Sequence, residues 1–239
     1  MPKFHFVEDY ERYVSDLIAA HPLDEAMALA VGGNYEVFGK IQSAVLEYLG
    51  VQENWRVLDL GCGSGRLASA LHQRYPNLRY TGIDVIRPLL EYAKSKAPNY
   101  RFILNRSLSL PMKDETTDCV LAFSLFTHLM QAETYQYLEE AYRVLAPGGV
   151  LCFSFVEFND PAQWHVFEET LKATRTQTNS HLTIFIERST VIVWTKRIGF
   201  DVIEFIDGQQ HRWDGLPMGQ SLVILRKPHK PLNVDARVN

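Results

Sequence analysis

The sequence predicts an α/β fold, a doubly wound and largely parallel sheet, and three observations predict it. First, Trp55, Val57, Leu58 and Leu60 form a short apolar run that stops at Gly61, Gly63 and Gly65, and Leu67, Leu71 and Tyr75 then recur at i, i+4 and i+8. That order reads as strand, tight turn, helix. Second, further apolar runs at 78–83, 101–104, 118–123 and 150–155 alternate with helical stripes, and such a succession requires right-handed crossovers and parallel strands. Third, 239 residues suffice for one α/β domain with a modest cap.

The glycine turn carries the chemistry. Glycine accepts positive φ and, lacking a Cβ, lets a ligand come close. The following helix offers unpaired N–H donors at its first turn. A dinucleotide fingerprint needs a third glycine where this chain has Arg66; here the third glycine comes one residue earlier. Asp59 lies two residues before Gly61, where a carboxylate repels a pyrophosphate and attracts a cationic ligand. S-adenosylmethionine carries a sulfonium and an ammonium and no phosphate. At Asp59-Leu60-Gly61-Cys62-Gly63-Ser64-Gly65 the chain resembles the class I S-adenosylmethionine-dependent methyltransferases, whose first motif is D/E-x-G-x-G-x-G.

Before that motif, residues 1–50 read as a helical cap. Phe6, Tyr10, Tyr13 and Leu17 form one amphipathic helix, broken at His21-Pro22. A short helix over 24–30 follows, with Asp24 as its candidate N-cap, then a loop at 31–34, then a helix over 35–49 ended at Gly50. The cofactor-binding core spans 51–156. Its second strand ends at Asp84, and Pro88 sits in the first turn of the next helix, which buries Leu90, Ala93 and Ala97. The fourth strand, 118–123, opens into Ser124-Leu125-Phe126-Thr127-His128-Leu129, similar to the F-S-x-F-T-H-L of small-molecule methyltransferases. The next helix is stopped by Pro147-Gly148-Gly149, and the fifth strand covers 150–155. Residues 157–187 form an insertion whose helix has Asp160 as N-cap and Trp164, Phe167 and Leu171 on its apolar face, with a loop at 174–180. A helix over 188–199 and strands over 200–206 and 220–225 complete the domain, and 227–239 read as a fraying tail.

The resemblance implies a Rossmann-like seven-stranded sheet, mostly parallel with one antiparallel strand, and a final antiparallel hairpin. It implies S-adenosylmethionine as cofactor, held by Asp59, Gly61, Cys62, Gly63, Asp84, Val85, Ser107, Leu108, Phe123 and Ser124, with Ile86 also against the adenine. Asp84 would take the ribose hydroxyls. Many relatives place an acid where this chain has Arg106, so an adenine contact is left to the backbone N–H of Ser107 or Leu108, while Arg106 stacks or points outward. His128 is the first candidate for a general base, ahead of His165 and His181, and Tyr10, Tyr13, Tyr35, Phe126 and Trp164 are candidates to line the acceptor pocket, with Arg188 as a further contact.

Composition sets the partners. A net charge of −4 and the absence of the diproline and P-C motifs argue against nucleic acid, and no apolar stretch reaches 18 residues. The first residues lack the apolar core of a signal peptide. Cys62, Cys119 and Cys152 show neither metal nor disulfide spacing, which suggests no metal and a reducing cytoplasm. The expected reaction is O- or N-methylation of a small molecule by a monomer or homodimer. A catalytically silent cofactor-binding subunit and another transferase or a dehydrogenase on the same fold stay open.

Overall fold

A computed structural model describes residues 7–176 and 183–229. The first strand, β1 (Arg56–Leu60), is buried on both faces, which is why its apolar run is unbroken: Val57 packs with Ile41, Leu67 and Leu71, while Leu58 and Leu60 pack with Leu138, Ala141 and Val144 on the other side. Fully burying one such leucine contributes roughly 1.5–3 kcal/mol. The other strands are β2 (Arg79–Asp84), β3 (Arg101–Leu104), β4 (Thr117–Ala122), β5 (Leu145–Phe155), β6 (Asp201–Ile206) and β7 (Ser221–Arg226). They form a single seven-stranded sheet in the order β3-β2-β1-β4-β5-β7-β6, with β7 antiparallel to both neighbours and every other pairing parallel. The order reverses between β1 and β4, which opens a crevice at the carboxyl ends of the strands.

Helices α3 (Tyr35–Tyr48) and α4 (Arg66–Arg74) cover one face of the sheet, and α6 (Gln131–Val144) and α8 (Arg188–Ile198) cover the other. Two short helices, α1 (Val7–Ala20) and α2 (Leu23–Ala30), pack with α5 (Arg87–Lys96) in a smaller core of Val14, Met27, Ala30, Ile86, Leu89 and Tyr92. The insertion carries α7 (Trp164–Thr176), which buries none of its residues fully.

Four expectations need correction. Pro22, extended at ψ 144, is the N-cap of α2; Asp24 lies in the first turn and accepts hydrogen bonds from Tyr92 Oη at 2.7 Å and Lys96 Nζ at 3.2 Å. The fifth strand begins at Leu145, because Pro147-Gly148-Gly149 is an irregularity inside it: the pairing jumps from Thr117↔Leu145 to Cys119↔Val150. The presumed tail holds a buried residue, Lys227, whose ammonium donates to the carbonyls of Tyr142 at 2.9 Å and Leu145 at 2.8 Å, capping the end of α6. Finally, α7 runs through Thr176, since the hydroxyls of Thr174 and Thr176 bond carbonyls four residues back and satisfy the helix instead of breaking it. The rest of that loop, 177–180, and His181 lie outside the described residues.

Candidate active site

The site is built outward from the turn after β1. Gly61, Gly63 and Gly65 all have positive φ, at 68°, 55° and 81°. A Cβ on Gly63 would come within 2.7 Å of Val31 Cγ1, and one on Gly65 within 2.5 Å of Ala93 Cβ. These glycines therefore let the protein close on its own turn as well as leaving room for a ligand. The N–H groups of the turn itself are engaged: those of Gly61 and Cys62 donate to the carbonyl of Ile83 at 2.8 and 3.0 Å, and that of Gly63 to Asp84 Oδ2 at 2.9 Å. A turn meant for a phosphate would keep those donors open.

Asp84, at the end of β2, is buried and anchored at both oxygens, since Oδ1 accepts from Ile86 N at 2.9 Å. Asp59 sits one strand over, paired in register with Gly82, and accepts from the Tyr80 hydroxyl. Burial pushes the Asp59 carboxyl up to about 7, opposed by the Tyr80 hydrogen bond and reinforced by the nearby Asp84, whose own acid is raised chiefly by burial. Neither carboxylate has an ion-pair partner among the described residues. Arg66 is the cation closest in effect, but its guanidinium is spent on the carbonyl of Val31 at 2.9 Å and lies 5.0 Å over the Phe38 ring. Two desolvated carboxylates without a cation suit a ligand that brings positive charge and hydroxyl groups, and that donor set fits S-adenosylmethionine.

The cap closes over this half. Tyr10 is partly buried, donates to the carbonyl of Ala30 at 2.7 Å and stacks on Tyr13 with centroids 6.2 Å apart. Burial and the Asp84 charge raise its phenol. Tyr35 Oη donates to the carbonyl of Ser64 at 3.0 Å, and Ser64 Oγ to that of Met27 at 2.9 Å, so the cap is tied to the glycine turn. Ile86 is fully buried beneath α1 and α2, and Val85 is partly buried. Arg106 lies at the surface as expected, where its Nε donates to the carbonyl of Val85 at 3.1 Å and its guanidinium pairs with Glu11 of α1. The N–H of Ser107 donates to Asn105 Oδ1 at 3.3 Å.

The other half lies at the ends of β4, β5 and β7. Phe123 is buried, and Ser124 holds a left-handed backbone at φ 55°. Phe126 is fully buried, edge-on to Phe153 with centroids 5.0 Å apart, so it backs this half from within the core. His128 ends a short 3₁₀ turn, Phe126–His128, and is exposed. Trp164 is 47% exposed and donates to Glu168 at 3.0 Å; His165 is exposed and its Nδ1 lies 2.7 Å from the Ala162 carbonyl. The structure thus gathers Tyr10 and Tyr13 at the carboxylate half and sets Trp164 apart on α7.

Several residues here escaped the sequence reading. Tyr137 of α6 is buried, and the Asp84 charge helps raise its phenol. Glu157 is buried at the end of β5, where it accepts from Arg188 Nε and Nη2, at 3.1 and 2.8 Å, and from Ser221 Oγ. Arg188, expected as an acceptor contact, is taken up by Glu157 and by Asp207. Ser154 and Gln220 form a further polar link. Helical spacing could have flagged Tyr137; no local pattern marks Glu157, Ser154 or Gln220, because their partners come from 31 to 66 residues away.

Residues 57–149 match a family model described as a methyltransferase domain. The chain is similar to a ubiquinone/menaquinone biosynthesis C-methyltransferase of Desulfotalea psychrophila, 30% identical over 149 residues, covering 56% of this chain and 58% of that one. It is also similar to a demethylmenaquinone methyltransferase of Thermus thermophilus, 38% identical over 110 residues, covering 44% and 48%. This chain thus spans about half to three-fifths of the length of these relatives. In fold it resembles a structure from Thermotoga maritima described as a possible histamine N-methyltransferase, with a TM-score of 0.62, 18% identity, and 93% and 99% of the two chains covered.

Proposed function

We propose that residues 57–149, which match a methyltransferase domain, make this chain a class I S-adenosylmethionine-dependent methyltransferase that transfers the cofactor's methyl group to a small molecule. The observation that carries the reading is the pair of buried carboxylates, Asp59 and Asp84, without a cation of their own. S-adenosylmethionine would supply an electrophilic methyl group on a positively charged sulfur. Asp59 attracts that charge. Asp84, with both oxygens fixed by backbone N–H groups, presents its remaining lone pairs to the ribose hydroxyls. Gly61, Cys62 and Gly63 form the wall beneath, Val85 and the N–H of Leu108 face the adenine, and Phe123 and Ser124 border the reacting end.

The leaving group is good, so the protein's main task is positioning. Tyr10 and Tyr13 from the cap and Ser124 at the tip of β4 enclose the acceptor, with Phe126 behind them and Tyr35 holding the cap to the turn. His128 takes a proton from the acceptor where one must leave. The relatives' names specify quinone precursors and, for one fold neighbour, a possible amine, which fits a family whose acceptor walls vary around a common cofactor core.

The test is incubation with methyl-labelled S-adenosylmethionine and a library of small metabolites. Labelled product is expected, and His128→Ala should lower turnover by about 10²–10⁴ if the histidine is a general base. An unchanged rate at saturating acceptor would make His128 structural. Tight cofactor binding with no labelled product from any acceptor would instead point to a silent binding subunit.

A further inference from the structure

We infer that the side-chain amide of Gln220 holds an oxygen of the acceptor, so that the protein selects oxygen acids, namely phenols, enols and carboxylic acids, over amines; this rests on the methyl-transfer reading above. Gln220 immediately precedes β7, whose antiparallel course brings its start to the carboxyl end of β5, where Ser221 pairs with Phe155. Its Oε1 lies 2.6 Å from Ser154 Oγ and 3.3 Å from Ser124 Oγ. Ser154 is fully buried, and its Oγ already accepts the backbone N–H of Ser124 at 2.7 Å. The hydroxyl proton of Ser154 therefore needs an acceptor, and Gln220 is its partner, which fixes the amide with its oxygen toward the serines.

The NH₂ group is then on the far side of the amide carbon. It makes no hydrogen bond among the described residues, and Gln220 is only half-buried. The framework around it is rigid. Ser221 Oγ donates to the buried Glu157, and Gln163 Nε2 donates to the carbonyl of Gly219, so the residues on both sides of Gln220 are held. Ser124 itself keeps a left-handed backbone that a non-glycine residue adopts only when its surroundings impose it.

The chemistry of the exposed end decides the class of ligand. An amide NH₂ offers two protons and no lone pair. An ionised oxygen can accept one of those protons and still keep lone pairs free. A neutral amine has one lone pair, which it needs as a nucleophile, and would otherwise present N–H against N–H. Glu157 cannot supply a counter-charge for an amine, because Arg188 and Ser221 already occupy it.

The experiment uses matched probes, each a phenol, enol or carboxylic acid paired with the amine of the same skeleton, offered with methyl-labelled S-adenosylmethionine. Wild type should methylate the oxygen acids and discriminate against the amines. Gln220→Glu keeps an oxygen for the two serines and turns a carboxylate toward the acceptor; it should raise KM for the oxygen acids by roughly 30-fold or more, with cofactor affinity within about twofold. Ser124→Ala, which removes one of the two hydroxyls that orient the amide, should move KM the same way by about fivefold and serves if Gln220→Glu fails to fold. Where turnover is slow, the thermal shift produced by each probe with S-adenosylhomocysteine present reads the same preference. Amines preferred by wild type, oxygen acids that neither react nor bind, or a KM insensitive to both substitutions would overturn the inference while leaving methyl transfer intact. Failure of S-adenosylmethionine to bind wild type would instead remove the reading on which it rests.

Discussion

The two halves of the crevice treat charge in opposite ways. At the ends of β1 and β2, Asp59 and Asp84 are buried with backbone N–H groups and a tyrosine hydroxyl for company, and with no ion-pair partner among the described residues. At the ends of β5 and β7, Glu157 is just as deeply buried but is matched by Arg188 and Ser221, and Arg188 is matched again by Asp207. One half is electrostatically incomplete and the other complete. An incomplete half destabilises the empty protein and gains when a cationic ligand arrives; a complete half holds its shape whether or not a ligand is present.

Substitutions at Asp84 should break this contrast most strongly. Asp84→Asn removes charge and disturbs the anchors to Gly63 and Ile86, and should weaken S-adenosylmethionine binding by about 3 kcal/mol, read by calorimetry. Asp59→Asn should cost less affinity, about tenfold, because it keeps an acceptor for Tyr80. It should also stabilise the empty protein. The folded carboxyl at about 7 lies above the unfolded value of 3.8, so the acid binds its proton more tightly when folded. Stability from this group is therefore full below pH 4 and lost as pH rises towards 7. Above that, Asp59→Asn should gain roughly 2–4 kcal/mol over wild type in denaturant titrations, with no gain at pH 4.

On the complete side the sign reverses. Glu157→Gln should destabilise the empty protein by roughly 1–3 kcal/mol, because it leaves Arg188 with Asp207 alone, and should leave cofactor affinity within about twofold. The smallest effect should come from Glu11→Gln at the ion pair with Arg106, where both side chains are partly exposed; about 0.2–1 kcal/mol is expected, and less at high salt. A loss of tenfold or more in cofactor affinity there would mean that the cap contributes far more to the site than its packing suggests.

The same contrast explains what the sequence reveals. The strand succession and the two strand-end aspartates were legible because strand, turn and helix are local: Asp59 and three glycines fall within seven residues, and Asp84 closes the next strand. The direction of β7 followed from resemblance and not from periodicity, which cannot tell an antiparallel strand from a parallel one. The strand entry through Pro147-Gly148-Gly149 was hidden because its partner, Lys227, comes from the far end of the chain. Likewise, Ser154, Gln220 and Glu157 look like ordinary polar residues until β7 folds back beside β5. Arg106 showed as a departure from the family pattern, but only the packing of α1 gave it Glu11 as a partner.

The central claim is that Asp59 and Asp84 await a positively charged cofactor, and titration calorimetry of S-adenosylmethionine at pH 6 and pH 8 tests it most directly. Cofactor charge favours the ionised Asp59, so a carboxyl at about 7 predicts binding up to about tenfold tighter at pH 8, with proton release at pH 6 visible between buffers of different ionisation enthalpy. S-adenosylhomocysteine, which lacks the sulfonium charge, should show a weaker pH dependence. Tight binding of NAD without binding of S-adenosylmethionine, or S-adenosylmethionine affinity equal at the two pH values with no proton released, would contradict the account.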